Sequence, residues 1–287
     1  MLRKLRKHLP GKLGQVKPTV PVVRLQGAIG TSSTIMRKDL NLSSVEDALD
    51  SAFKMKDAPA VALIVNSPGG SPVQSNLIYK RIRSLAEEHD KDVLVFVEDL
   101  AASGGYMIAL AGDDIYVDSS SIIGSIGVVS AGFGFTELIN KVGIQRRVYT
   151  AGDKKVTLDP FSPENSSDID HLKGLQKEVH ETFIDLVKSR RGSVLSDDPD
   201  LFSGLFWAGQ KAKDLGLVDD IGDIRGVLKK RYGKDTKTEI MGEKRGILSR
   251  VMTKSYFPHH IGSVTEKLPA ATLSTLEERS LWARFGL

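Results

Sequence analysis

Two continuous apolar runs, "VALIV" at 61–65 and "VLVFV" at 93–97, constrain this chain more than any other feature. Neither alternates polar with apolar residues, as a strand with one face in water would. Each reads as a strand covered on both faces, which is the situation of a parallel sheet. Between them "SPVQSNLIYKRIRSLAEEH" (71–89) has the apolar spacing of an amphipathic helix. The alternation continues in both directions. "VPVVRLQG" (20–27) reads as a strand, "SSVEDALDSAF" (43–53) as a serine-capped helix, and "DDIYVD" (113–118) as a strand. "QRRVYTAG" (145–152) reads as a further strand, residues 163–191 as a long helix, and 207–233 as helix, short strand, helix. Repeated β-α-β order predicts an α/β fold: a mostly parallel sheet with helices on its faces. One domain is expected over 19–232, without an internal repeat or linker.

Charge is unevenly placed. The 287 residues carry a net charge of +4, but residues 1–18, "MLRKLRKHLPGKLGQVKP", hold six Lys/Arg and no acid. The remainder has 34 basic and 36 acidic residues and is close to neutral. A nucleic-acid-binding body is expected to carry a basic surface itself, so the basicity belongs to an arm and no nucleic-acid partner is expected. The basic arm has leucines at helical spacing, interrupted by Pro10 and Gly11. It contains no apolar run of the length a signal peptide or transmembrane helix needs. Two readings stand: a short amphipathic anchor on an anionic membrane surface, or a soluble leader. The chain has no cysteine, which excludes disulfides, thiolate metal sites and a cysteine nucleophile.

In a parallel α/β sheet, sites form where strand C-termini meet helix N-termini. Two successive junctions here are rich in small residues: "NSPGGSP" (66–72) after the first apolar run and "EDLAASGGY" (98–106) after the second. Both would set backbone N–H groups at one edge of the sheet, an arrangement suited to an oxyanion. Neither is a phosphate loop, since GxxxxGK[ST] and GxGxxG are absent. Ser103 in the second turn reads either as a helix cap or as a nucleophile. A nucleophile needs a base. None of the six histidines falls at a strand-end loop between 66 and 170, whereas "TAGDKKVTLDPFSP" (150–163) offers Lys154 and Lys155. A lysine acts as a base only where burial or neighbouring cations bring its pKa from about 10.4 toward neutrality, disfavouring the ammonium by about 4 kcal/mol.

Taken together, "NSPGGSP", "DLAASGGYMIAL", "SSSIIGSIGVV", "AGDKKVTLDPF" and "FWAGQKAKDLGLVDDIG" resemble the S49 peptidases, the signal peptide peptidase A (protease IV) group, over roughly residues 20–232. The resemblance implies the Clp-protease/crotonase-like fold of repeated β-β-α units. It implies Ser103 as nucleophile, Lys155 as general base and Ser125, in "IIGSIG", as the serine that positions the lysine. The oxyanion would be held by backbone amides at Gly69 or Gly70 and at Gly104. It further implies a serine endopeptidase without metal or cofactor, acting on signal peptides or other unfolded hydrophobic segments. Assembly into a homo-oligomer, an octamer for a chain of this length, is also implied, with neighbouring chains completing each site. The basic arm departs from the pattern of members that carry a transmembrane segment. The location it suggests is the cytoplasmic face of a membrane, held peripherally, or the cytoplasm.

The stretch 129–135, "VSAGFGF", is a candidate apolar groove or a piece of core. From 233 to 287 a tail is expected, ending in an amphipathic helix with a capping box at Ser274 and Glu277. The paired His259 and His260 read as surface residues. Two rivals remain: a crotonase-type acyl-CoA enzyme, which needs acidic residues at the site, and a catalytically silent scaffold of the same fold.

Overall fold

The computed structural model describes residues 18–30, 33–34, 37–242 and 279–287. Residues 1–17 of the basic arm, the Ser274 cap and the His259–His260 pair lie outside the described residues. The chain runs β1 (Thr19–Gln26), β2 (Ser33–Thr34), β3 (Arg37–Lys38), α1 (Leu42–Phe53), β4 (Ala60–Ser67), α2 (Pro72–His89), β5 (Asp92–Ala102) and α3 (Gly104–Ala109). It continues through β6 (Asp114–Val117), β7 (Ile122–Gly124), α4 (Thr136–Lys141) and α5 (Ser166–Arg191). The last elements are β8 (Phe206–Ala208), α6 (Gly209–Asp214), β9 (Asp220–Ile221), α7 (Ile224–Tyr232) and β10 (Lys237–Ile240).

The main sheet has the order β10-β1-β4-β5-β6-β9, with β7 paired to β5 and β8 to β7. Every pairing in it is parallel except β7 with β8. The two apolar runs are its centre. In β4, Val61, Leu63 and Val65 join the cluster beneath α1, α2, α3 and α5, while Ala60, Ala62 and Ile64 face the cluster that includes Leu228 of α7. In β5, Val93, Val95 and Val97 divide from Leu94 and Phe96 in the same way. Burial on both faces is why these runs never alternate in polarity.

Three local readings change. The cap of α1 is Asn41 rather than a serine: Asn41 Oδ1 accepts from Ser44 N–H at 3.0 Å, and Ser44 Oγ accepts from Asn41 N–H at 3.1 Å. Residues 145–152 form no strand: among the described residues no strand lies beside them to take their backbone hydrogen bonds. They belong instead to an exposed excursion, 128–165, in which Phe133 is 81% and Tyr149 90% exposed. Conversely, β10 follows Gly233 and pairs with β1 from Thr19↔Lys237 to Val22↔Ile240, so the sheet extends past residue 232.

A buried polar tie joins α5 to the sheet. Arg191 sends its two terminal guanidinium nitrogens to the two carboxylate oxygens of Asp219, each at 3.0 Å, and its Nε to Gly216 O at 2.8 Å. Beside it the Tyr106 hydroxyl donates to Leu217 O at 2.7 Å. Burial pushes that phenol's pKa far above its ordinary value, so the hydroxyl stays a donor.

Candidate active site

β5 carries the chain to Ser103 through an irregularity. Val65 of β4 faces Val97, but Ser67 faces Ala101, so β5 holds two extra residues over this stretch. Its first half pairs with β6 and its last three residues with β7. Such a bulge bends a strand and redirects the side chains beyond it. Ser103 follows at φ 51°, ψ −121°, a backbone region costing a side-chain-bearing residue about 1–3 kcal/mol. Its N–H donates to Gly124 O at 2.8 Å, and its carbonyl accepts from Tyr106 N–H at 2.9 Å. Ser103 occupies the N-cap position of α3, yet its hydroxyl makes no capping hydrogen bond. The strained turn therefore presents a half-buried hydroxyl that has no hydrogen-bond partner among the described residues.

The glycines are required by close approach. A Cβ on Gly70, which has φ 141°, would overlap the carbonyl of Ile29, and one on Gly104 would overlap Ser75 Oγ. Around Gly70 the chain is clamped by Ile29 N–H to Gly69 O and Ser71 N–H to Ile29 O, both at 2.8 Å. Gly69 N–H is already used, donating to Ser67 Oγ at 3.2 Å. Among the described residues Gly70 N–H and Gly104 N–H have no acceptor. A Cβ on Gly104 would lie 3.4 Å from Gly70 N, so the two free donors are neighbours beside Ser103.

Ser125 follows β7 with φ 53° and is 6% exposed. Its N–H donates to Leu205 O at 2.7 Å, and among the described residues no side-chain hydrogen bond occupies its hydroxyl. Because Gly124 O holds Ser103 N–H, the two serines sit on adjoining turns. The structure thus brings together Ser103, Ser125, Gly69, Gly70 and Gly104. A cavity of about 240 Å³ opens at Ser103, walled by Val73 and Leu77 of α2, Met107 of α3, and Val179 and Phe183 of α5. Of the "VSAGFGF" stretch none lines it; Gly127 and Val128, just before, do.

Lys155 is not brought to this cluster within the chain. It lies exposed in the excursion, outside the cavity wall, with its N–H donating to Gly152 O at 3.2 Å and no side-chain partner among the described residues. Lys154 is engaged: its Nζ donates to Ser167 Oγ at 2.8 Å and lies 3.9 Å from Asp168. The excursion is organised by aromatic contacts of its own, Phe135 with Phe161 at 5.6 Å and Arg146 over the Phe161 ring at 5.1 Å. Arg146 also donates to Asp159 at 2.7 Å, which holds that carboxyl's pKa below its ordinary value.

Sequence reasoning missed the contribution of α5. Its Val179 and Phe183 stand one turn apart, an (i, i+4) pair that signals a helix face but not which neighbour it covers. His180, between them, places Nε2 3.0 Å from Ile126 O and ties α5 to the turn after Ser125.

The family described as Peptidase family S49 matches residues 86–236. Over 289 aligned residues the chain is 55% identical to the Na(+)/H(+) antiporter NhaA of Brucella abortus, a match covering 99% of this chain and 39% of that protein. It is 30% identical to Protease 4 of Haemophilus influenzae, over 78% of this chain and 36% of the other. To the chloroplastic serine protease SPPA of Arabidopsis thaliana it is 28% identical, over 71% of this chain and 29% of the other. The chain therefore spans about two fifths or less of the length of these relatives. A solved structure, the 1510-N membrane-bound stomatin-specific protease, aligns with a TM-score of 0.47 and 17% identity, covering 79% of this chain and 99% of that one. Among the described residues no helix is long and apolar enough to cross a membrane.

Proposed function

We propose, for a chain that belongs to peptidase family S49, that it is a serine endopeptidase using Ser103 as nucleophile and Lys155 as general base. The observation that carries this reading is the strained Ser103 turn, with its idle hydroxyl beside the free N–H groups of Gly70 and Gly104 at the mouth of an apolar cavity. Ser103 Oγ attacks the peptide carbonyl carbon while the Lys155 amine takes the hydroxyl proton. Gly70 and Gly104 N–H donate to the oxyanion that forms. Collapse breaks the C–N bond, Lys155 returns the proton to the departing amine, and the acyl group stays on Ser103. Water, activated by the same amine, then releases the acid. The Ser125 hydroxyl orients the amine.

A neighbouring copy supplies the lysine in this reading. The excursion that carries Lys155 exposes Val129, Phe133, Leu138, Val142 and Ile144, all more than half exposed. Large apolar side chains exposed along one segment suit an interaction site, and a homo-oligomer covers them while carrying the lysine loop to another subunit's Ser103. An octamer is the expected size. The substrates are unfolded or signal-peptide-like hydrophobic segments, which the apolar cavity fits. Peripheral membrane contact through residues 1–18 is the corresponding proposal for location, on the cytoplasmic face.

The crotonase-type alternative calls for an acid at the reacting centre, and among the described residues no Asp or Glu lines the Ser103 cavity. An active-site-directed fluorophosphonate tests the reading without a chosen substrate. Mass spectrometry should find Ser103 labelled ahead of every other serine, with labelling slowed at least tenfold in Lys155→Ala. Labelling spread over surface serines, or unaffected by loss of Lys155, would contradict it.

A further inference from the structure

We propose that the polar hollow next to the Ser103 cavity is a second specificity site that takes a basic side chain of the substrate; this rests on the peptidase reading above. The hollow, about 320 Å³, lies at the start of α1 and is lined by Ser43, Glu46, Gln74 and Leu77 among others. Leu77 also lines the Ser103 cavity, so a single side chain of α2, 40% exposed, stands between the two. Pro72 and Leu77 both line the first cavity. At 1.5 Å of helix rise per residue they are about 7.5 Å apart along α2, so this is the span from the Pro72 end of the cavity to its border with the hollow at Leu77. An extended peptide covers that distance in about two to three residues. A substrate that fills the Ser103 cavity with one side chain thus sets another, two or three positions away, over the hollow.

The chemistry of the hollow favours a cation. Two of its start-of-helix donors are already used: Leu42 N–H donates to Gln74 Oε1 at 3.1 Å and Ser44 N–H to Asn41 Oδ1 at 3.0 Å. An anion would find those donors occupied. The acceptors are less committed. The Ser43 hydroxyl gives its proton to Asn41 Oδ1, leaving its oxygen as an acceptor. Glu46 is half exposed, and its ion-pair partner among the described residues, Arg81, stands 3.8 Å away through Nε while the Arg81 Nη2 group is committed to Asp50. Glu46 therefore retains capacity for an incoming ammonium or guanidinium, and Ser43 adds a hydrogen-bond acceptor.

A positional peptide scan tests this. Peptides with one apolar residue for the Ser103 cavity carry Lys, Ala or Glu at each of the four positions on either side. Cleavage by the unmodified protein gives kcat/KM, and anisotropy of the same labelled peptides on Ser103→Ala gives affinity in the absence of turnover. Lys at one position, two or three residues from the apolar one, should exceed Ala by about fivefold, the scale of a partly exposed ion pair, with Glu below Ala. The Lys-to-Ala ratio at that position should fall to about one in Glu46→Gln and below one in Glu46→Lys. Equal binding of Lys, Ala and Glu peptides at every position would overturn the site, whether or not they are cut. Cleavage of the Ala peptides would at the same time leave the peptidase reading standing, and cleavage of none would count against that reading alone.

Discussion

Ser103→Ala is expected to reduce kcat/KM on an unfolded hydrophobic substrate by at least about a thousandfold, and Lys155→Ala by a similar factor, because nucleophile and base act as one unit. Lys154→Ala should stay within about threefold of the unmodified protein, since a residue outside the reacting unit alters the rate only through positioning. The prediction is sharp because the two lysines are adjacent and alike in charge. Lys154 spends its ammonium on Ser167 and Asp168, where it fastens the loop to the start of α5. Lys155 has no side-chain partner among the described residues. Thermal unfolding of all three variants separates lost chemistry from lost fold, and the Ser103 and Lys155 variants should melt near the unmodified protein. Ser103→Ala still has to accept a strained backbone, so its melting temperature is the more sensitive control. A Lys155→Ala protein with near-normal turnover would remove the base from the mechanism.

The second large effect is on stability. Arg191→Ala should cost about 3 kcal/mol in urea unfolding, the low end for a broken buried ion pair. The low end applies because the Arg191 side chain is 7% exposed while that of Asp219 is 32% exposed. Asp219 would keep its bond to Ile115 N–H at 2.7 Å, but it would lose its bidentate partner, and Gly216 O its donor. Arg191→Lys should recover little, since an ammonium cannot reproduce the two-pronged contact together with the Nε bond. The same tie positions α5, and with it Val179 and Phe183 at the cavity. At temperatures where the variant remains folded, KM should therefore rise more than kcat falls. Unfolding within about 0.5 kcal/mol of the unmodified protein would show that α5 is held by its apolar face alone.

The layout of the sheet was legible because its central strands are extreme in composition. Val61–Val65 and Val93–Val97 admit no one-sided environment, and their order with the 71–89 helix leaves a parallel crossover as the simple solution. The small-residue turns were legible for a related reason: Gly70 and Gly104 sit where any side chain would strike Ile29 or Ser75. What could not be read were features decided by neighbours in space. Gly69 and Gly70 look equivalent in "SPGG", and only the Ser67 hydroxyl, which takes up Gly69 N–H, distinguishes them. Residues 145–152 have the composition of a strand, but among the described residues no neighbouring strand pairs with them. β10, "KTEI", is short and exposed throughout, so its pairing with β1 left no apolar signature. The separation of Lys155 from Ser103 belongs to the same class, because spacing along the chain says nothing about which copy's loop meets which site.

That separation is open to direct test by mixing two inactive proteins. Ser103→Ala and Lys155→Ala chains, carrying different tags, are co-expressed, and assemblies holding both tags are purified. If one subunit's lysine serves another's serine, random one-to-one mixing gives about a quarter of the sites a complete pair across a head-to-tail interface. The mixed assemblies should then show about a quarter of the unmodified activity, while each variant alone shows none. Doubly tagged assemblies with no activity would contradict delivery of the lysine between copies.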